Sequence, residues 1–342
     1  MSVGPEFRDV LARVADGGVL DREQAQHAFS LLMEGAASPA QTAAFLMALR
    51  VRTERVDEIA GAARAMRAKA TSVSAPPGAI DTCGTGGDGL GTINVSTATA
   101  LVVAGCGVPV AKHGNRAVSS KSGSSDVLDA LGVNVAAPVA AVEEAMRTAG
   151  VGFLMATIYH PAMRHVGPVR AELGLRTIFN LLGPLANPAA VRRQVIGVFA
   201  TRWLTPLAEV LRELGSEHAW IVHGADGMDE LTLTGESSVA ELRGGQVRRF
   251  TVSPEDAGLA RSAPEDLVGG DAAANAASIR QLLDGAPGPY RDIVLLNAGA
   301  ALVVAGRAGD LGEGAAIAAR AIDTGAAGGA LERLVACTQV SA

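Results

Sequence analysis

Apolar residues in the first part of the chain recur only at helical spacing. Four stripes between residues 7 and 63, with members three or four positions apart, predict four short helices. Capping-box patterns at 21–24 and 38–41 precede the second and third stripes. Four short helices supply a thin core, so we expect this bundle to pack against another part of the chain or a second subunit.

From residue 79 onward, short apolar runs alternate with helical stripes. The runs predict strands at 79–81, 108–111, 151–155, 195–199 and 219–222. Segments 231–234 and 241–251, the latter around Gly244-Gly245, predict an antiparallel appendage, and helices follow from residue 272 to the end. The alternation predicts an α/β fold with a mostly parallel central sheet and flanking helices.

The stretch 159–188 interrupts this alternation. It has a helical pattern with prolines and glycines as stops. We expect it to rejoin the N-terminal bundle and complete a small all-helical domain of residues 1–71 plus about 165–190. Residues 72–164 plus 191–342 would then form the large α/β domain, with a pocket between the two parts.

Four glycines fall within the six residues 84–89, directly after the first predicted strand. Glycine adopts positive φ at little cost, and such loops can point several N–H groups at one anion. Asn94 to Thr97 then resembles a helix N-terminus, another position that favours phosphate. A glycine-rich hexamer by itself is often only a turn, and this one matches neither the P-loop nor the dinucleotide fingerprint.

A second polar loop, Lys112 to Ser124, follows the next predicted strand. It carries cationic, amide and hydroxyl donors, as a ligand with more than one phosphate would require. Adjacent acids in 223–230, after a third strand, are suited to Mg²⁺ with substrate phosphates, although Asp-Gly also favours a plain turn. Because loops after parallel strands lie at one sheet edge, all three are expected to share a pocket.

Composition narrows the function classes. A net charge of −6 argues against general nucleic-acid binding. Three widely spaced cysteines form neither a disulfide framework nor a zinc site. With neither a signal-peptide pattern nor an apolar run long enough for a bilayer, a cytoplasmic location without membrane association is expected.

These motifs, in this order, resemble the anthranilate phosphoribosyltransferase family over nearly the full chain. The carriers are 84–88, 94–97, 112–124, 160–188 and 226–230. The resemblance implies transfer of phosphoribose from 5-phosphoribosyl 1-pyrophosphate (PRPP) to the amine of anthranilate in L-tryptophan biosynthesis, with Mg²⁺. It also implies a homodimer formed through the small domains.

The resemblance further implies roles for individual residues. Catalytic roles fall on Lys112, Arg170, Asp229 and Glu230, and metal contacts on Ser96, Asp229 and Glu230. Anthranilate contacts fall on Gly84, His113, Asn115 and Arg170. The implied PRPP contacts are Gly84, Gly87, Asp88, Thr92, Asn94, Val95, Ser96, Thr97, Lys112, His113, Gly114, Asn115, Arg116, Ala117, Val118, Ser119, Ser120 and Ser124.

Two other functions are weighed against this one. Pyrimidine nucleoside phosphorylases share the expected architecture, but their glycine loop differs from Gly-Thr-Gly-Gly-Asp-Gly. A non-enzymatic relative that binds nucleic acid would require a basic surface and would not require the anthranilate contacts Asn115 and Arg170, both of which are present here.

Overall fold

The computed structural model describes residues 5–116 and 121–339, with side chains from residue 7. Those ranges contain fifteen α-helices and one seven-stranded sheet. The four predicted N-terminal helices are present as α1 (Pro5–Ala15), α2 (Arg22–Met33), α3 (Pro39–Arg52) and α4 (Val56–Ala68). Both predicted capping boxes form: the Asp21 and Ser38 side chains accept from the backbone N–H groups of Gln24 and Gln41, whose own side chains accept from the Asp21 and Ser38 N–H groups.

The strands and helices after residue 79 alternate as predicted. The strands are β1 (Ile80–Gly84), β2 (Val110–Gly114), β3 (Val151–Met155), β4 (Arg193–Gly197), β5 (His218–Gly224), β6 (Ser237–Arg243) and β7 (Gln246–Val252). The remaining helices are α5 (Val95–Gly105), α6 (Ser124–Ala130), α7 (Val139–Thr148), α8 (Ala156–Tyr159), α9 (Gly167–Leu173), α10 (Phe179–Leu185), α11 (Leu204–Glu213), α12 (Ala272–Leu283), α13 (Pro289–Val304), α14 (Leu311–Asp323) and α15 (Ala326–Thr338).

The strands lie in the order β3-β2-β1-β4-β5-β6-β7, and all pairings from β3 to β5 are parallel. The sheet thus confirms the mostly parallel prediction, with β6 and β7 added antiparallel. The chain crosses from β3 at one edge to β4 on the other side of β1. Loops after β1 and β4 therefore diverge around a crevice, which is where open α/β sheets bind ligands.

The inserted helical segment packs against the N-terminal bundle. Phe179 of α10 makes an edge contact with Phe29 of α2, with ring centroids 5.7 Å apart, and Phe29 in turn contacts Phe45 of α3 at 5.6 Å. Such aromatic contacts add to the apolar area that each ring buries. The helical part is therefore built from both segments, as predicted, while its boundaries near residues 71, 165 and 190 stay a prediction.

One predicted strand is wrong. Residues 231–234 alternate apolar and polar side chains but pair with no strand in the described ranges. The Asn297 side chain accepts from the Leu231 N–H at 3.0 Å and donates to the Leu231 carbonyl at 2.9 Å. A buried amide from α13 thus takes the place of a ladder partner. The hairpin predicted around Gly244-Gly245 does form, between β6 and β7.

A buried carboxylate ties the N-terminal helices together. Glu58 of α4 is fully buried. Its oxygens accept from the Leu20 N–H at 3.0 Å, the Arg55 N–H at 2.9 Å and the Arg52 guanidinium at 2.6 Å. Removing this side chain would leave these two N–H groups and the guanidinium without their acceptor.

We expect Glu58→Ala to lower the free energy of unfolding by about 3–5 kcal/mol, because it leaves a half-buried cation and buried N–H groups unpaired. Urea denaturation followed by circular dichroism measures this. Glu34→Ala is the matched control: Glu34 pairs with Lys69 at 2.7 Å but is 54% exposed. That variant should change stability by no more than about 1 kcal/mol. Equal shifts for the two variants would contradict the account.

No helix in the described part of the chain combines the length and the apolarity that a bilayer span requires.

Candidate active site

A cavity of about 730 Å³ opens at the carboxyl ends of the parallel strands, between the sheet and the helical part. Every predicted site residue that the structure describes lines it. These are Gly84, Gly87, Asp88, Thr92, Asn94, Val95, Ser96, Thr97, Lys112, His113, Gly114, Asn115, Arg116, Ser124, Arg170, Asp229 and Glu230. Ala117, Val118, Ser119 and Ser120 lie outside the described residues.

The glycine loop has the backbone predicted for it. Gly86 and Gly87 have φ of 69° and 76°, in the left-handed region that favours glycine. The Gly86 N–H, however, donates to the Asp229 carboxylate at 2.6 Å rather than standing free. A methyl group at Gly84 would overlap this same carboxylate. The loop after β1 is thus fitted closely to the acidic loop after β5.

Asp229, which is buried, and Glu230, which is half-buried, form an acidic pair in the cavity. Burial and the charge of nearby Asp88 raise the pKa of Asp229, and burial and the charge of Asp229 raise the pKa of Glu230. The nearby Ser96 hydroxyl, at the start of α5, acts in the opposite direction and lowers the pKa of Glu230. Among the described residues there is no set of three His, Cys, Asp or Glu side chains that could hold a metal by itself. Two carboxylates that repel each other in a cavity fit a divalent cation completed by substrate oxygens and water.

Lys112 is the buried cation of the cavity. Its Nζ donates to the Thr82 carbonyl at 2.7 Å and to Ser96 Oγ at 3.3 Å. These bonds fix the ammonium between β1 and the N-terminus of α5. Its charge also lowers the pKa of Glu230, against the larger effect of burial. The helix N-terminus and the ammonium therefore face one region of the cavity with positive potential.

Arg170 faces the cavity from the helical part. Its guanidinium lies over the Phe179 ring, 5.3 Å from the centroid, and burial lowers its pKa. Among the described residues, none of the ion pairs involves Arg170. A desolvated guanidinium fork without an acidic partner suits a carboxylate ligand.

Comparison with known proteins agrees with this geometry. A model described as "Glycosyl transferase family, helical bundle domain" matches residues 8–70, and one described as "Glycosyl transferase family, a/b domain" matches residues 76–328. The anthranilate phosphoribosyltransferase of Paramagnetospirillum magneticum is 61% identical over 332 residues, covering 97% of this chain and 96% of the relative. The chain belongs to the anthranilate phosphoribosyltransferase family.

Solved structures of the family superpose on nearly the whole chain. That of the Thermus thermophilus enzyme has a TM-score of 0.93 at 48% identity, covering 97% of this chain and 100% of that one. The Saccharomyces cerevisiae anthranilate phosphoribosyltransferase, solved in complex with PRPP and Mg, has a TM-score of 0.89 at 26% identity, with 98% of both chains covered. The chain is accordingly an enzyme of the glycosyltransferase class.

This member of the anthranilate phosphoribosyltransferase family has two neutral histidines in its cavity. The His113 and His160 rings meet edge to face with centroids 5.1 Å apart. His113 Nδ1 donates to the Gly183 carbonyl at 2.9 Å, which leaves Nε2 as an acceptor. Burial and the neighbouring His160 lower the pKa of His113 to about 3, and burial lowers the pKa of His160 to about 4.

These pKa values predict how stability depends on pH. Well above a pH of about 6.5, the ordinary pKa of histidine, both rings are neutral in the folded and the unfolded chain, and no stability is lost through them. As the pH falls towards 4, both histidines become protonated in the unfolded chain but stay largely neutral in the folded chain. The free energy of unfolding should therefore fall by up to about 2.7 kcal/mol per pH unit through this pair.

Replacement of the pair tests this slope. In urea titrations between pH 7 and pH 4.5, His113→Asn with His160→Asn should flatten the dependence relative to the unmodified chain. Asn180→Ala, which alters a cavity residue that does not titrate, is the control and should leave the slope unchanged. Parallel curves for the pair variant and the unmodified chain would contradict neutral burial.

Several contacts between remote parts of the chain could not be predicted from the sequence. Asp81, buried in β1, accepts from the His113 N–H at 3.2 Å and from Asn187 Nδ2 at 2.8 Å. This carboxylate holds the start of the second loop to the segment that leaves the helical part. Arg176 donates to the Gly87 carbonyl and stacks over Phe199 at 4.5 Å. No local motif signals either group, because each contact spans more than twenty residues.

Proposed function

We propose that this chain transfers the phosphoribosyl group of PRPP to the amine of anthranilate, giving N-(5-phosphoribosyl)anthranilate and pyrophosphate in L-tryptophan biosynthesis. One observation carries the proposal. A single cavity joins a glycine loop, a buried lysine and two adjacent carboxylates of the α/β part to an arginine of the helical part that has no ion-pair partner among the described residues. The names of the relatives, at up to 61% identity, support it.

The PRPP side of the site is the α/β part. The proposed contacts are the glycine loop, the start of α5 at Asn94 to Thr97, and the loop that begins at Lys112. Main-chain N–H groups, the helix N-terminus and the Lys112 ammonium all favour phosphate oxygens there. The negative charge of the departing pyrophosphate grows in the transition state, so donors fixed in advance stabilise that state more than the ground state.

Asp229, Glu230 and Ser96 are the residues proposed to hold Mg²⁺. The adjacent, mutually repelling carboxyls fit this ion, since a divalent charge offsets both the desolvation and the repulsion that raise their pKa values. When bound, the ion supplies charge to phosphate oxygens as a Lewis acid. The Gly86 N–H orients Asp229 for that role at 2.6 Å.

The anthranilate side is formed by Arg170, with Asn115, His113 and Gly84 nearby in the cavity. The guanidinium fork can grip the carboxylate of anthranilate through two parallel bonds. The arylamine is a neutral nucleophile near pH 7, so a strong general base is not required. As the C1–N bond forms and the C1–O bond to pyrophosphate breaks, the ammonium product gives its proton to solvent. Orientation of the two substrates is therefore the main task of the protein.

Anthranilate fluorescence tests the function directly. The unmodified chain with PRPP and Mg²⁺ should consume anthranilate, and omission of any one component should stop the loss. Release of a free base from a pyrimidine nucleoside with inorganic phosphate, without anthranilate turnover, would instead identify the phosphorylase reaction.

A homodimer formed through the helical parts and a cytoplasmic location complete the proposal. Two large apolar side chains of the helical part support the dimer, because Val51 is 80% and Leu175 49% exposed. Exposed apolar groups of this size often mark contacts between subunits. Sedimentation velocity that found only a particle of one chain's mass would contradict the dimer.

A further inference from the structure

A chain of side-chain amides connects α12 to the proposed phosphate site. The Gly270 N–H donates to Asn275 Oδ1 at 2.7 Å. Asn275 Nδ2 donates to Asn94 Oδ1 at 2.8 Å, and Asn94 Nδ2 donates to the Ser122 carbonyl at 3.4 Å. Asn275 is 3% exposed and stands 181 residues from Asn94 in the sequence.

Backbone groups at both ends fix the direction of this chain. A main-chain N–H can only donate, so the oxygen of Asn275 must face Gly270 and its NH₂ must face Asn94. The oxygen of Asn94 must then face Asn275. The Ser122 carbonyl can only accept, which independently requires the NH₂ of Asn94 on the other side. Both ends give the same orientation for the Asn94 amide.

Asn94 lines the cavity at the start of α5, yet its side chain does not cap that helix. Its NH₂ group has two hydrogens, and the bond to Ser122 uses one. The other is a donor that a phosphate oxygen can take. The reverse orientation would present an oxygen to the phosphate, which repels it.

The segment before α12 also holds the backbone of this region. The Ile93 N–H donates to the Leu267 carbonyl at 2.9 Å, and the Gly269 N–H donates to the Gly91 carbonyl at 2.9 Å. The Tyr290 hydroxyl donates to the Asn94 carbonyl at 3.3 Å. With the backbone held in place, the remaining freedom of the Asn94 amide is rotation about its side-chain bonds, which the bonds to Asn275 and Ser122 restrict.

We propose that Asn275 is a positioning residue for PRPP, which fixes the Asn94 amide with its NH₂ group toward the substrate phosphates. The proposal rests on the proposed function. Asn275 itself does not line the cavity, so it acts through Asn94.

Asn275→Asp tests the direction of the chain. A carboxylate still accepts from the Gly270 N–H but cannot donate to Asn94, so the Asn94 amide should turn over. We expect the KM for PRPP to rise about tenfold or more, because Asn94 would lose its hydrogen bond to a charged phosphate and present its oxygen to that phosphate instead. The KM for anthranilate at saturating PRPP should change less than about twofold, because Arg170 is untouched. Asn275→Ala leaves only the long bond to the Ser122 carbonyl, at 3.4 Å, to set the orientation of Asn94, so it should raise the KM for PRPP less than Asn275→Asp.

Asn134→Asp is the matched control. Asn134 is exposed, and its Oδ1 accepts from the Ala136 N–H at 3.1 Å, a role that aspartate keeps. This variant should leave both KM values unchanged. If Asn275→Asp fails to fold, Asn275→Ser takes its place, with a rise in the KM for PRPP expected.

A double-mutant cycle separates positioning from a purely structural role. In an Asn94→Ala background, Asn275→Asp should change the KM for PRPP by less than about twofold, because coupled residues are not additive. Full additivity, or an unchanged KM for PRPP in the single variants while the unmodified chain is active, would overturn the inference. An inactive unmodified chain would instead contradict the proposed function.

Discussion

Replacing Asp229 by Asn and Glu230 by Gln should lower Mg²⁺-dependent turnover about 10²–10³-fold, the effect of losing a preorganised charge at the reacting group. The isosteric amides keep the shape of the loop, and Asn can still accept from the Gly86 N–H. What is lost is the negative charge that a divalent ion requires. Initial rates measured across a Mg²⁺ titration, with both substrates saturating, give the size of the loss.

The same variant should not lose stability. The raised pKa values of both carboxyls mean that their charged forms are disfavoured in the fold, so neutral replacements remove a repulsion. We therefore expect a Tm no lower than that of the unmodified chain together with the loss of turnover. Glu236→Gln, an exposed position on the same connection to β6, is the control and should change neither quantity. A Mg²⁺ titration that coincides with that of the unmodified chain would refute the metal role.

Arg170→Ala should raise the KM for anthranilate about 100-fold, since bidentate bonds to a carboxylate in a desolvated site contribute about 2–3 kcal/mol. The KM for PRPP should change little, because Arg170 belongs to the helical wall and the proposed PRPP contacts belong to the sheet loops. The kcat should fall only modestly, since the guanidinium holds a group that carries the same charge before and during the reaction.

Two further variants sharpen this test. Arg170→Lys keeps the charge but loses the planar fork, so its KM for anthranilate should lie between those of the unmodified chain and Arg170→Ala. Arg147→Ala removes an exposed arginine that pairs with Glu144 and should leave KM unchanged. Steady-state kinetics that showed an unaltered KM for anthranilate in Arg170→Ala would remove Arg170 from substrate binding.

Local patterns predicted most of the fold because local interactions form most of it. The strand Val151–Met155 agrees with its prediction residue for residue, since an uninterrupted apolar run suits a strand buried on both faces. The capping boxes of α2 and α3 also form as predicted. The alternating run 231–234 failed for the opposite reason. The Leu231 backbone bonds to Asn297, far along the chain, and the Thr232 N–H donates to the Ser237 hydroxyl. No pattern within the run indicates these partners.

For the cavity too, features set by local sequence could be predicted and features set by long-range contacts could not. Its walls could be predicted because each loop directly follows a strand, and parallel strands end at one edge. The contacts that hold those walls in place could not be predicted. Asp81 with Asn187, Arg176 beneath the glycine loop, and Asn275 behind Asn94 are contacts between segments far apart in sequence. Such contacts depend on the folded geometry, and one buried polar residue has no periodicity to reveal it.

A crystal structure of the unmodified chain with PRPP and Mg²⁺ is the most direct test of the central claim. We predict diphosphate density between the glycine loop, the Asn94 end of α5 and Lys112, with the metal on Asp229 and Glu230. Density for both ligands away from Gly87, Lys112 and Glu230, with that cavity still filled by solvent, would contradict the account.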